Sequence, residues 1–141
     1  MSKEAKRLLK IGFKGNGCGS DKVSKILCSV AMLPFDLALK RDLQDCWSIH
    51  DAEYTITTAL KSDIHKAHAD DWLKSNMECV FKQHNISTNY SKRFVTVVHY
   101  SLLFGGNKAY WGKKANSNWH LTPNAIVTTS IILIAKYFGV L

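Results

Sequence analysis

Apolar side chains recur every three or four residues along two stretches of this chain, and that spacing commits it to amphipathic helices. The run KAHADDWLKSNMECVFKQHN (66–85) repeats at Ala69, Leu73, Met77 and Val80. The run SKRFVTVVHYSLLFGGNKAYW (91–111) repeats at Phe94, Val97, Val98 and Leu102. Its Val-rich start has strand character, but its length decides for helix, with Gly105-Gly106 expected to interrupt it. Upstream, Pro34 stands where proline opens helices, and a helical pattern follows from Phe35 through Leu60, long enough to hide a break. KVSKILCSVAML (22–33) reads as a short apolar helix or extended segment after the Gly-rich loop GNGCGSD (15–21). With no internal repeat and no low-complexity tract, the expectation is an all-α fold.

A chain of 141 residues is one domain's worth and long enough to bury a core without metal or disulfide staples. An apolar fraction of 46% suits a globular protein. A mean hydropathy of −0.11 excludes a polytopic membrane protein. The net charge of +8 calls for an anionic partner, either nucleic acid or an anionic membrane surface. Zinc-finger spacing, a basic heptad region and an aromatic RNP-type strand are all missing, which speaks against nucleic acid. No CxxC pair occurs, so a structural zinc site has little support. The four cysteines, Cys18, Cys28, Cys46 and Cys79, permit two disulfides or serve as core residues.

Both ends of the chain bear on membranes. MSKEAKRLLKIGFK lacks the apolar core and cleavage site of a secretory signal. Its Leu8, Leu9, Ile11 and Phe13 among five basic residues suit either an amphipathic helix on an anionic membrane or a solvated arm. TPNAIVTTSIILIAKYFGVL (122–141) is nearly continuous apolar sequence. Its last 17 residues, Ala125 to Leu141, reach only the lower limit of a membrane span, and Lys136 would lie inside the bilayer. A core or interfacial helix therefore leads over an anchor. Residues 112–141 together form a basic loop followed by this apolar segment.

The chemistry concentrates in CWSIHDAEYTITT (46–58). Cys46, His50 and Tyr54 lie four residues apart and share one helix face, with Asp51 turned about 100° away. For an isolated histidine, a buried and hydrogen-bonded residue is the plainer reading. The neighbouring helix changes the balance, because Asp70 lies on its Ala69/Leu73/Met77 side. Two helices joined by the short link SDIHK run antiparallel, so a carboxylate on the second can reach His50. A histidine oriented by an aspartate is a general base with a fixed tautomer. Asp51, turned toward a glycine loop whose carbonyls can point inward, is a hard-cation ligand by type. A cation there would polarise an ester carbonyl and hold the developing oxyanion.

This combination resembles the phospholipase A2 superfamily, most nearly its small bacterial, fungal and phage-type members. The matching positions are Gly17-Cys18-Gly19-Ser20, then Cys46, His50, Asp51 and Tyr54, then Ala69-Asp70 with Leu73 and Met77, then Tyr100 through Trp111 around Gly105-Gly106. They cover roughly residues 13–111 of a single domain spanning 1–141. The resemblance implies a calcium-dependent hydrolase of the sn-2 ester of glycerophospholipids, working at a phospholipid membrane of anionic character. It assigns His50 as the base, Asp70 as its orienting carboxylate and Tyr54 as support. It assigns Asp51 with Asn16 and Gly17 to calcium, and pairs Cys18 with Cys46. It also implies action outside the cell or by delivery, and leaves the oligomeric state open.

The chain departs from the pattern in two places. The insert DKVSKILCSVAMLPFDLALKRDLQD is long, and Asn16 stands where relatives often carry a carboxylate. An inactive, membrane-binding structural or delivery protein of the same fold is the alternative reading. A metal phosphohydrolase of the His-Asp type needs a further upstream histidine, and residues 1–49 have none. His65 and His68 in HKAH read as a solvated, Lys-flanked turn, and His84, His99 and His120 as surface or satisfied core residues. Lys113 and Lys114 near Trp111 and Trp119 read equally as a lipid-docking patch or a plain basic loop. The acceptor-like NIS (85–87) and NYS (89–91) are too short to carry weight.

Overall fold

A computed structural model describes residues 1–15 and 29–112. Four helices order them: α1 (Lys3–Lys10), α2 (Leu37–Tyr54), α3 (Asp63–Gln83) and α4 (Thr88–Trp111), with a 3-10 turn at Thr58–Leu60. No strand occurs among the described residues, as the periodicity requires of an all-α fold. No described helix is long and apolar enough to cross a membrane.

Helices α1, α2 and α3 each start where a side chain satisfies one of the first amides. Ser2 accepts from Ala5 N–H, Asp36 from Leu39 N–H at 2.8 Å and Ser62 from His65 N–H at 3.0 Å. The pattern expected to run from Phe35 through Leu60 ends at Tyr54. There the β-branched run Thr55-Ile56-Thr57-Thr58 loses rotamer freedom in a helix, and Thr55 folds its hydroxyl back onto the Asp51 carbonyl at 2.7 Å. The link between the helices is thus Thr55–Lys61, and SDIHK forms the cap and first turn of α3. At the other end of α3, Asn85 takes φ 55°, and the amides of Asn85 and Ile86 return to the Lys82 and Phe81 carbonyls. That closure turns the chain directly into α4.

The contacts fix the packing directions. Glu53, His50 and Asp42 on α2 meet His65, Asp70 and His84 on α3, so the two helices run antiparallel. Phe94, His99 and Tyr110 on α4 meet Phe81, Asp71 and His65 on α3, which reverses direction again. Helix α3 therefore lies between its neighbours. The main core joins Leu39, Leu43, Cys46 and Trp47 of α2 with Leu73, Met77 and Phe81 of α3 and Tyr90, Phe94 and Val95 of α4. Phe35 closes it, its ring edge-on to Phe81 at 5.5 Å and to Phe94 at 5.7 Å. Such pairs contribute about 0.5–1.5 kcal/mol each beyond their burial.

Two local expectations are corrected. Gly105-Gly106 does not interrupt α4, which continues to Trp111, because packing against α2 and α3 holds the backbone where propensity alone would not. Of the two readings of the N-terminal segment, the free arm is corrected: Lys3–Lys10 is a helix docked on the body of the protein, with Ile11 exposed beyond its end. Ala5 is fully buried against α2, and the Ser2 amide donates to Glu53 at 2.6 Å while Glu4 accepts from Thr57. Residues 113–141, with the apolar C-terminal segment, lie outside the described residues.

Candidate functional site

Helical geometry delivers the face read from the sequence: Cys46, His50 and Tyr54 are all buried on α2. His50 Nε2 stands 2.9 Å from Asp70 Oδ1. Asp70 is 1% exposed and its carboxyl is anionic, so it only accepts; the proton on that side of the imidazole belongs to Nε2. In the neutral imidazole Nδ1 then carries the lone pair. Tyr54 donates its hydroxyl to the same Asp70 oxygen at 2.5 Å, and its ring lies 4.1 Å from the imidazole.

The electrostatics follow from this arrangement. Burial alone would lower the basicity of His50, but the carboxylates of Asp51 and Asp70 outweigh it and raise its pKa. Burial likewise would raise that of Asp70, yet hydrogen bonds from His50, Lys66 and Tyr54 hold it below the usual carboxylate range. Burial and the adjacent Asp70 push the Tyr54 phenol upward, so Tyr54 remains a donor.

Asp51 faces elsewhere. Its Oδ1 is 3.6 Å from His50 Nδ1, longer than a hydrogen bond. Its Oδ2 is buried and has no hydrogen-bond partner among the described residues. Gly15 explains part of that burial, because its backbone lies so close that an added Cβ would be 2.7 Å from Asp51 Cβ. A buried, unpartnered carboxylate oxygen against a glycine backbone is a fitting place for a hard cation. No cluster of three or more His, Cys, Asp or Glu side chains that could hold a metal occurs among the described residues. Asn16 and Gly17, the expected partners in calcium binding, lie outside the described residues.

Three polar residues enter this region without having been singled out for it. Lys66 is buried, donating to Asp70 Oδ2 at 2.7 Å and to the Leu102 carbonyl at 3.0 Å. Glu53 is buried as well and accepts from His65 Nε2 at 2.9 Å. Tyr110, fully buried, meets His65 Nδ1 at 2.8 Å, receives the Ser62 amide and stacks edge-on against Tyr54 at 5.0 Å. His65 is therefore not on a solvated turn; it bridges α2 and α4. His68 is exposed, while His84 and His99 pair with Asp42 and Asp71. The signal for Lys66 was its i,i+4 spacing to Asp70.

Cys46 has no disulfide partner among the described residues and is held in the core, its thiol pKa pushed up to about 11 by burial and by Asp45 and Asp42. Cys79 is free and exposed. Cys46 packs in the main core, and the expected Cys18–Cys46 pairing, like Cys28, lies outside the described residues.

Comparison with family models, curated proteins and solved structures found no match to this chain.

Proposed function

We propose that the protein is a calcium-dependent, phospholipase A2-like hydrolase of the sn-2 ester of glycerophospholipids, acting at membrane surfaces. The observation that carries this reading is the buried pair of His50 Nε2 and Asp70 Oδ1 at 2.9 Å, adjacent to an Asp51 oxygen with no partner among the described residues. In this reading α2 and α3 are the two antiparallel helices that carry the site, and the Gly15–Gly17 stretch is its calcium-type loop.

His50 Nδ1, the unprotonated nitrogen, takes a proton from a water as that water's oxygen attacks the ester carbonyl. Asp70 holds the imidazole in this tautomer and stabilises the imidazolium that forms. The proton then passes from Nδ1 to the departing alkoxide, which restores neutral His50. Tyr54 keeps the Asp70 carboxylate oriented. Asp51, with Asn16 and Gly17, would hold calcium, which when bound supplies an electrophile for the ester carbonyl. The charge of +8 and the exposed Ile11, Leu37 and Ile64 suit an anionic phospholipid surface.

The deciding experiment measures fatty acid release from anionic phospholipid vesicles with calcium and with a chelator. Release that requires calcium and is lost in His50→Asn supports the reading. Vesicle binding without release, in a folded protein, leaves the inactive membrane-binding protein as the correct description.

A further inference from the structure

We propose that Lys66 is a positioning residue for the site: its ammonium holds one oxygen of Asp70 so that the other is presented to His50. The proposal rests on the reading of His50 and Asp70 as base and orienting carboxylate.

The two oxygens of Asp70 have separate duties. Oδ1 takes His50 Nε2 at 2.9 Å and the Tyr54 hydroxyl at 2.5 Å, and Oδ2 takes Lys66 Nζ at 2.7 Å. A terminal carboxylate turns easily about its last side-chain bond, so something must select this orientation. Lys66 is placed for the purpose, one turn before Asp70 on the same face of α3, with 6% of its surface exposed. Its second hydrogen bond, to the Leu102 carbonyl, anchors the ammonium to α4. The Tyr54 ring lies 5.7 Å below it.

Space for this arrangement is provided by Gly106. A Cβ there would come within 2.9 Å of the Tyr54 hydroxyl and 3.4 Å of Lys66 Nζ. The seat of the lysine is thus made by three helices, and a surface lysine that merely happened to lie near a carboxylate would have none of it. Without the ammonium, the buried Oδ2 loses its donor, and the carboxylate is drawn to swing toward Tyr54 and His50. The imidazole then loses its single well-defined partner.

The test compares wild type with Lys66→Met, a substitution of similar length without charge. Proton NMR first reads the downfield imidazole N–H resonance of His50, assigned by its loss in Asp70→Asn. In Lys66→Met this signal is expected to shift upfield or broaden away while circular dichroism stays native. On vesicles, kcat is expected to fall roughly 10- to 100-fold, the scale of a small misplacement of a catalytic group, with KM little changed. In an Asp70→Asn background the same substitution is expected to cost almost nothing further, because both changes act through one carboxylate.

An unchanged resonance together with wild-type kcat in folded Lys66→Met overturns the proposal. So does full additivity with Asp70→Asn. If Lys66→Met does not fold, the wild type itself decides: a scalar coupling between Lys66 Nζ and the Asp70 carboxyl carbon is required, and its absence overturns the proposal. Wild-type protein that hydrolyses no phospholipid refutes the functional reading, while the NMR comparison still reports whether Lys66 orders the His50–Asp70 pair.

Discussion

Tyr54 and His50 share one oxygen of Asp70, at 2.5 and 2.9 Å, although they arise from consecutive turns of α2. Removing the hydroxyl in Tyr54→Phe leaves the ring stacked on Tyr110 and deletes only the donor. A hydrogen bond to a buried charge contributes about 1.5–3 kcal/mol, and urea unfolding is expected to register a loss in that range. Activity is expected to fall by much less than in His50→Asn, since Nε2 retains its contact.

His50, Asp51 and Asp70 should give three distinguishable phenotypes on phospholipid vesicles. His50→Asn keeps the fold and loses roughly 10²–10⁴-fold in rate, the usual contribution of a placed base. Asp51→Asn lowers activity but recovers part of it at raised calcium, because its Oδ2 has no partner among the described residues. Asp70→Asn lowers activity and gains nothing from calcium, because the imidazole is left in the wrong tautomer. Calcium titrations of initial rates separate the last two. Identical calcium responses for both would refute the division of labour.

Gly106→Ala pushes a methyl group to 2.9 Å from the Tyr54 hydroxyl. Overpacking of this kind costs typically 1–3 kcal/mol, against the slight gain that alanine brings to a helix. Thermal unfolding is expected at a lower temperature than wild type. The clash is with the hydroxyl, so Tyr54→Phe should cost less stability in the Gly106→Ala background than in wild type. A strictly additive double variant would show that the two residues do not touch.

The acid limb of stability is expected to involve Glu53. Burial would raise its pKa, but the Ser2 amide and His65 outweigh that and hold it below the ordinary glutamate range. The unfolded chain therefore takes up a proton at Glu53 before the folded one does. The stability this carboxylate adds is whole above about pH 4.3, the ordinary value for glutamate, and is lost as pH falls through the folded value. Unfolding free energies of wild type and Glu53→Gln, measured between pH 5 and 3, are expected to converge as the pH falls. A gap that widens would contradict the assignment.

Periodicity made the helices legible, and the i, i+4 relation of Cys46, His50 and Tyr54 made their common face legible as well. Asp70 was recognisable because its apolar neighbours Ala69, Leu73 and Met77 marked the inward side of α3. Lys66 was not, since a lysine among His65, His68 and exposed positions looks solvated until α4 is seen to close over it. The same holds for His65, whose partners Glu53 and Tyr110 are 12 and 45 residues away. The end of α2 depended on the competition between helix and a β-branched run, a matter of small propensities that tertiary packing decides. Gly106 read as a helix breaker because its reason lies on two other helices.

The contacts around Asp70 also bear on how the bundle selects one assembly. Apolar side chains tolerate a slide of one helix along another, but the carboxylate, the ammonium and the imidazole do not. Their burial is compensated only when residues 50 and 54 of α2, 66 and 70 of α3 and the Leu102 carbonyl of α4 are all in place. A packed arrangement in which one of these helices is out of register leaves a charged group buried and under-bonded. The cluster thus selects against slipped registers that the apolar core alone would accept.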